Sequence, residues 1–384
     1  MDDESTEALA ESYTLFARTM AHDGQTTYER ICSGIAHDPW LLALTRSAPP
    51  DQRRPNLLLA AVHFLLLSGA EHPLADAYPT VVEWRAGPAA PAAPADMAAP
   101  IDVFSVFADF CRRFEAPLEV LLATRATQTN EVGRCAAILP ALAMVGANRD
   151  RPLALVDLGA SAGLNLLFDR FAYDYLVSAE VPATHVRAGD QDAAVRLVAD
   201  VRSGTLPELV TPEIPFRRGL DRSPIDPNDD DGARWLLGCQ WPDDLTRFRR
   251  LRAAIDVARS IPGLAEVARG DIIDDLGAMV EEVPDDLHLC LLHTWVAAYL
   301  TAPEQRSLTD AIAEASMRRP ITWLFAEQPY EVPGLPVPPA PEGLGSKRAT
   351  ALVVATVLSG EVRPRRVADL HPHGTWLRWW APTA

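Results

Sequence analysis

Asp157, Gly159, Ser161 and Gly163 fall within seven residues of one another in LALVDLGASAGLNLL, a spacing that suits two kinds of chemistry. The run Leu153–Leu158 is apolar except for Asp157 and reads as a buried strand. Gly159 to Gly163 is a turn of small residues. Beyond it Leu164, Leu167, Phe168 and Phe171 recur at helical spacing. A strand, a tight turn and a helix N-terminus present free N–H groups and the helix dipole to an anion or a nucleotide. In that reading Asp157, Gly159, Ala160, Ser161, Gly163 and Asn165 border a bound cofactor. The same string also matches the G-x-S-x-G nucleophile elbow, with Ser161 as nucleophile. A glycine turn that only packs, with no ligand, is the third reading.

Further polar residues stand where later apolar runs end. Asp221 closes FRRGLD, and Asp271 with Ile272 follows the short run Leu264–Val267. His293 ends LHLCLLH ahead of Trp295 and Tyr299, and Glu327 ends ITWLFAE. A carboxylate at the end of the second strand can accept from both hydroxyls of a ribose. A histidine near neutral pKa is the residue type suited to general-base work. A polar knot, TQTNE at 127–131, precedes a helix through Gly146. Asn130 or Thr129 can cap that helix. Alternatively Gln128, Asn130, Glu131 or Arg134 faces the glycine turn and a substrate beside it. In the elbow reading Ser161, Glu327 and His371 or His373 follow the triad order of α/β-hydrolases.

The elements that must carry these residues divide the chain. Residues 1–148 read as a helical N-terminal domain, interrupted by an Ala/Pro linker at 87–100. His63, inside the apolar run Leu57–Leu67, reads as a hydrogen-bonded core histidine. From Leu153 strands and helices alternate, which demands a mostly parallel sheet with ligands at the carboxyl ends of its strands. A β insertion is expected at about 176–215. Helices are expected over 243–260, 274–281, 296–300 and 303–318. The Pro/Gly-rich loop 331–346 could close over a pocket. Strands at 350–358, 366–370 and 375–380 suggest an antiparallel finish. The acidic turn DPNDDDG at 226–232 lacks the sixth-position Gly and twelfth-position Glu of a calcium loop.

Composition narrows the function classes. The 384 residues are 48% apolar and 23% charged, as in ordinary globular proteins, with a formal net charge of -17. That charge opposes nucleic-acid and anionic-membrane partners. The five cysteines form no C-x-x-C, so neither a disulfide framework nor a metal centre is expected. The acidic N-terminus has no signal peptide, and Leu57–Leu67 is too short to span a bilayer. A cytoplasmic location follows as the expectation.

VDLGASAG resembles the first motif of class I S-adenosylmethionine (SAM)-dependent methyltransferases, with Ser161 where those enzymes usually carry a second glycine. GLDRSP resembles their acidic second motif, which implies Asp221 on the ribose. GDIIDDL resembles the third-strand motif, which implies Asp271 and the Ile272 backbone near the adenine. Over most of its length the chain resembles the bacterial family DUF2332, through TRATQTNEVGRCA, LGASAGLNLLFDRFAYDY, GLDRSPID, WPDDLTRFRRLRAAI, LLHTWVAAYL and HPHGTWLRW. The resemblance implies a Rossmann-like methyltransferase sheet over 149–384 and SAM as cofactor. The methyltransferase motifs imply methyl transfer to a small-molecule acceptor, with His293 at the end of the fourth strand as base, Glu327 as the second candidate, and Trp295 and Tyr299 as walls; the DUF2332 resemblance brings no known reaction with it. A serine esterase using Ser161 and a catalytically silent Rossmann-like binding protein are the alternatives.

Overall fold

The computed structural model describes residues 6–87, 102–178, 182–342 and 349–380. The Ala/Pro stretch beyond Gly87 and residues 343–348 of the Pro/Gly-rich loop lie outside the described residues. Two compact units are formed, one from Met1–Thr129 with Asn228–Arg252, the other from Asn130–Pro227 with Ala253–Ala384. Among the described residues no helix is long and apolar enough to cross a membrane.

The first unit is helical, and its helices begin where the sequence supplies caps. Asp38 accepts from the Trp40 and Leu41 amides, and Pro39 opens that helix. Pro55 likewise opens Pro55–Leu67, whose side chains are almost all buried. Inside this helix His63 is a core histidine. Its Nδ1 faces the Gly238 and Gln240 carbonyls and its Nε2 the Thr80 hydroxyl. Burial lowers its pKa to about 4, so it stays neutral.

The second unit is built on one mixed sheet of eleven strands. In chain order these are β1 (Leu153–Leu158), β2 (Ala172–Val177), β3 (Thr184–Ala188), β4 (Arg196–Ser203), β5 (Phe216–Asp221), β6 (Glu266–Arg269), β7 (His288–Thr294), β8 (Ile321–Glu327), β9 (Thr350–Leu358), β10 (Glu361–Leu370) and β11 (Trp376–Trp379). Their order across the sheet is β3-β2-β4-β11-β10-β9-β8-β7-β1-β5-β6. The run from β8 to β6 is parallel throughout. β8, β9, β10 and β11 pair antiparallel in succession. β1, β7 and β8 are nearly continuous apolar strings because both their faces are covered.

Register assigns the faces. Val156, Leu158, Leu289, Leu291, Trp323 and Phe325 join the core under helices Leu276–Glu281 and Ala302–Ala315. By strand alternation His293 and Glu327 end that same face, whereas Asp157 and Thr294 point to the other. After β1 the chain first builds β2, β3 and β4 at the far edge of the sheet, then lays β5 and β6 on one side of β1 and β7 and β8 on the other. A topological switch point therefore lies between the carboxyl ends of β1 and β7. Two antiparallel steps bring β10 back into the direction of β8, so the turn after Leu370 opens at this same edge.

Three local expectations are corrected. The segment after the glycine turn is a short 3-10 helix, Leu164–Arg170, with a kink at Leu167. Phe171 is already extended and β2 starts at once, because burial of Ala172, Tyr173, Tyr175 and Val177 follows a strand rather than a helix. The residues expected as a separate β insertion extend the main sheet as β3 and β4. After β7 there is only a 3-10 turn, Ala297–Tyr299.

Candidate functional site

The glycine turn is held tightly by its own protein. Gly159, Ser161 and Gly163 have φ of 74°, 55° and 70°. The Gly159 and Ala160 amides donate to the Leu220 carbonyl, the Gly163 amide to Ala160 O, and the Leu164 amide to Asn130 Oδ1. The Ser161 amide donates to Asp221 Oδ2 at 2.8 Å. A loop with these amides already engaged on a short 3-10 helix is no anion cradle, and that expectation is corrected. The glycines answer to packing: a Cβ on Gly159 would lie 2.4 Å from Val296 Cγ2, and one on Gly163 3.0 Å from Val267 Cγ2. Left-handed geometry in a non-glycine residue costs about 1–3 kcal/mol. Ser161 accepts that cost, and its buried Oγ has no hydrogen-bond partner among the described residues.

Asp221 and Asp271 act on backbone. Asp221 Oδ1 accepts from the Ser223 amide at 2.7 Å, so its two oxygens pin the glycine turn to the loop after β5. Asp271 accepts from the Ile273 and Asp274 amides and from Arg222. Partial burial works to raise the Asp271 pKa, but the Ile273 amide and Arg222 outweigh it and the net shift is downward. The Ile272 side chain belongs to the core. Asp157 is buried at the end of β1, and its pKa is raised well above the carboxylate range. Burial is the main cause and Asp221 the second, with Arg134 opposing both.

At the ends of β7 and β8, His293 and Glu327 form a fully buried pair, Nδ1 to Oε1 at 2.8 Å. A carboxylate only accepts, so Nδ1 carries the proton and Nε2 is left as the basic nitrogen. Nε2 and Glu327 Oε2 are buried with no hydrogen-bond partner among the described residues. The imidazole stacks on Phe325 at 5.3 Å between centroids. The same Glu327 Oε1 accepts from the Val296 and Ala297 amides at 2.8 and 3.2 Å. Trp295 is left-handed, with φ of 57°. Its amide donates to Ala326 O and its indole to Thr350 Oγ1. The segment 294–297 is thus tied down at every residue.

The polar knot does reach the turn. Asn130 spans it, donating to Ala160 O at 3.1 Å and accepting from Leu164 N at 3.2 Å. Neither Asn130 nor Thr129 caps the following helix: Cys135–Ala147 starts at Arg134 without a side-chain cap, and Glu131 caps the 3-10 turn Val132–Arg134 before it by accepting from the Gly133 amide. Arg134 donates to Pro372 O, Thr294 O and Thr294 Oγ1, with its guanidinium 5.5 Å from the Trp295 ring centroid. Asn165 turns toward Cys135, whose Sγ lies 3.5 Å from its Oδ1. Gln128 lies in the first unit, where its backbone bonds the Cys239 thiol. Tyr299 is half-exposed. The triad expected from Ser161, Glu327 and His371 or His373 does not assemble. Glu327 pairs with His293, His373 faces Glu131 at 3.5 Å, and the His373 amide bonds His371 Nδ1.

The strand ends thus bring together Asp157, Asn130, Arg134, Asp221, Ser161, Trp295, His293 and Glu327. Residues missed by sequence reasoning are Thr294, Val296 and Thr350, which fix the β7 loop. The Thr-Trp-Val step directly after a buried strand was their one signal. A groove of about 540 Å³ lies elsewhere, at the amino end of β1, lined by Gly146, Arg149, Leu153, Val210 and Pro212. None of the residues singled out above lines it. No curated protein matches the chain. The family described as "Uncharacterized protein conserved in bacteria (DUF2332)" matches residues 10–379, and the chain belongs to that family.

Proposed function

We propose that the chain binds SAM across the switch point between β1 and β7, with a Rossmann-like methyltransferase sheet as scaffold, and transfers its methyl group to a small-molecule acceptor. One observation carries this reading. The parallel run β6-β5-β1-β7-β8 sets a glycine turn and a buried His–Glu pair on the two sides of its switch point, where ligands of open α/β sheets bind. Both sides also hold a strained residue, Ser161 on one and Trp295 on the other. Such strain persists where the surroundings over-determine it, and it clusters at functional sites.

The chemistry of the lining favours SAM over a dinucleotide. A dinucleotide brings a pyrophosphate that needs free amides at the turn and a helix behind them. Here those amides are engaged on protein acceptors. SAM brings no phosphate; it offers an amine, a carboxylate and ribose hydroxyls to donors and acceptors. Ser161 Oγ, Asp157 and the remaining lone pairs of Asp221 suit those groups. Bound SAM supplies a sulfonium leaving group. The protein's share is to hold the acceptor in line and take its proton. Glu327 fixes the His293 tautomer that leaves Nε2 free to accept that proton.

Calorimetric titration with SAM and with S-adenosylhomocysteine tests the reading. Micromolar dissociation constants, weakened at least ten-fold in Asp157→Ala, are the expected result. No heat from either ligand at two temperatures would remove it.

A further inference from the structure

The space that Gly159 leaves by lacking a Cβ holds a side chain of the chain's own, that of Val296. Val296 sits there because its amide, and that of Ala297, are held by Glu327 Oε1. Glu327 at the same time holds His293. Upstream, Arg134 grips the Thr294 carbonyl and hydroxyl, and Trp295 is locked in a left-handed conformation by Ala326 O and Thr350 Oγ1. The segment is therefore a strained strap of four residues whose Val296 packs on Gly159 and whose last two amides are fastened at one carboxylate.

We propose that Thr294–Ala297 is the strap that governs access to the switch-point crevice. Val296 is its closing residue and Glu327 its fastening. A ligand approaching Gly159 as closely as a glycine permits must displace Val296. Release of the Val296 and Ala297 amides from Glu327 accompanies that displacement and relieves the strain at Trp295. This deepens the SAM reading, because the strap selects how readily the nucleoside enters the site. It also gives Glu327 a positioning role beyond its bond to His293.

Two measurements on the full chain test this, and only the second needs a ligand. In hydrogen exchange, the Val296 and Ala297 amides are expected to open together. Their exchange should be at least ten-fold faster than that of the β7 amides of Leu289–Leu292, and faster again in Glu327→Gln. Exchange of the Val296 and Ala297 amides at the same rate as the four β7 amides would overturn the strap, whatever the protein binds. In calorimetry with S-adenosylhomocysteine, Val296→Ala should bind about ten-fold tighter than the wild type, because a smaller closing residue raises the open fraction. Equal affinities for Val296→Ala and wild type would also overturn it. Binding by Val296→Ala alone would support it, with wild-type affinity hidden by closure. No binding by either, with the strap opening as expected in exchange, would remove the SAM reading and leave the strap standing.

Discussion

Replacing Glu327 by Ala should be among the most damaging single changes in the second unit, through three hydrogen bonds lost at once. Oε1 accepts from His293 Nδ1, Val296 N and Ala297 N at 2.8, 2.8 and 3.2 Å, in a site with no exposed surface on either member of the pair. A stranded buried donor costs about 1–3 kcal/mol, and breaking a buried pair by removing one partner about 3–5 kcal/mol. These overlap, so the expected loss is about 4–6 kcal/mol, set against a total stability of about 5–15 kcal/mol. Glu327→Gln keeps an acceptor oxygen and should lose about half as much. Urea unfolding followed by tryptophan fluorescence measures the difference from the midpoint at constant slope. Trp323 lies 5.8 Å from the His293 ring and reports on this part of the sheet. A shift in Glu327→Ala worth less than about 1 kcal/mol would refute the reasoning, because no buried carboxylate with three donors can be that cheap to delete. In Glu327→Ala, His293→Phe should cost less than it does in the wild type, since the imidazole then has no acceptor to lose.

Other residues offer independent checks. Asp157 holds its proton to higher pH in the folded chain than in the unfolded one, since burial first and Asp221 second raise its pKa. Its contribution is present at acid pH and is lost as pH rises from about 4 toward the raised value. Asp157→Asn should therefore gain stability over the wild type progressively with pH, and parallel pH profiles would contradict this. Gly374 has φ of 74°, and a Cβ there would fall 1.9 Å from the Gly133 carbonyl oxygen. Gly374→Ala should cost at least about 2 kcal/mol in the same unfolding assay, and a neutral result would show that this turn does not pack as described. Arg134→Lys cannot reproduce the forked contacts to Pro372 and Thr294. It should speed exchange of the Thr294–Ala297 amides, which unchanged rates would disprove.

The long apolar strands and the turns that follow them were legible because each statement rests on neighbours in sequence. β1, β5, β7 and β8 fall within one residue of where their apolar runs end, and the antiparallel finish is present. Asp221, Asp271, His293 and Glu327 do stand at strand ends. What escaped was set by partners far away. The helical spacing of Leu164, Leu167 and Phe168 also suits a 3-10 turn buried beneath Asn130, so periodicity alone could not tell the two apart. Glu327 pairs with a histidine 34 residues away on the adjacent strand and not with the histidines nearer the chain's end, because register rather than order decides which side chains meet. Asp221 reads as a ribose ligand from its position alone. Its bond from the Ser223 amide is local, but its hold on the Ser161 amide becomes visible only once β5 lies beside β1.

β11 is four residues long, yet it alone joins β10 to β4. Trp376 pairs with Asp200, a separation of 176 residues (376 − 200). A chain emerging from the ribosome can form β1 to β10 and still lack this tie, leaving two unpaired strand edges exposed to other chains. The turn before β11 places Gly374 on Gly133 and Pro372 on Arg134, so the stretch that closes the sheet also seats the arginine that holds Thr294. Closure of the sheet and seating of Arg134 would therefore come together, after the interval in which both edges stand open and not before it.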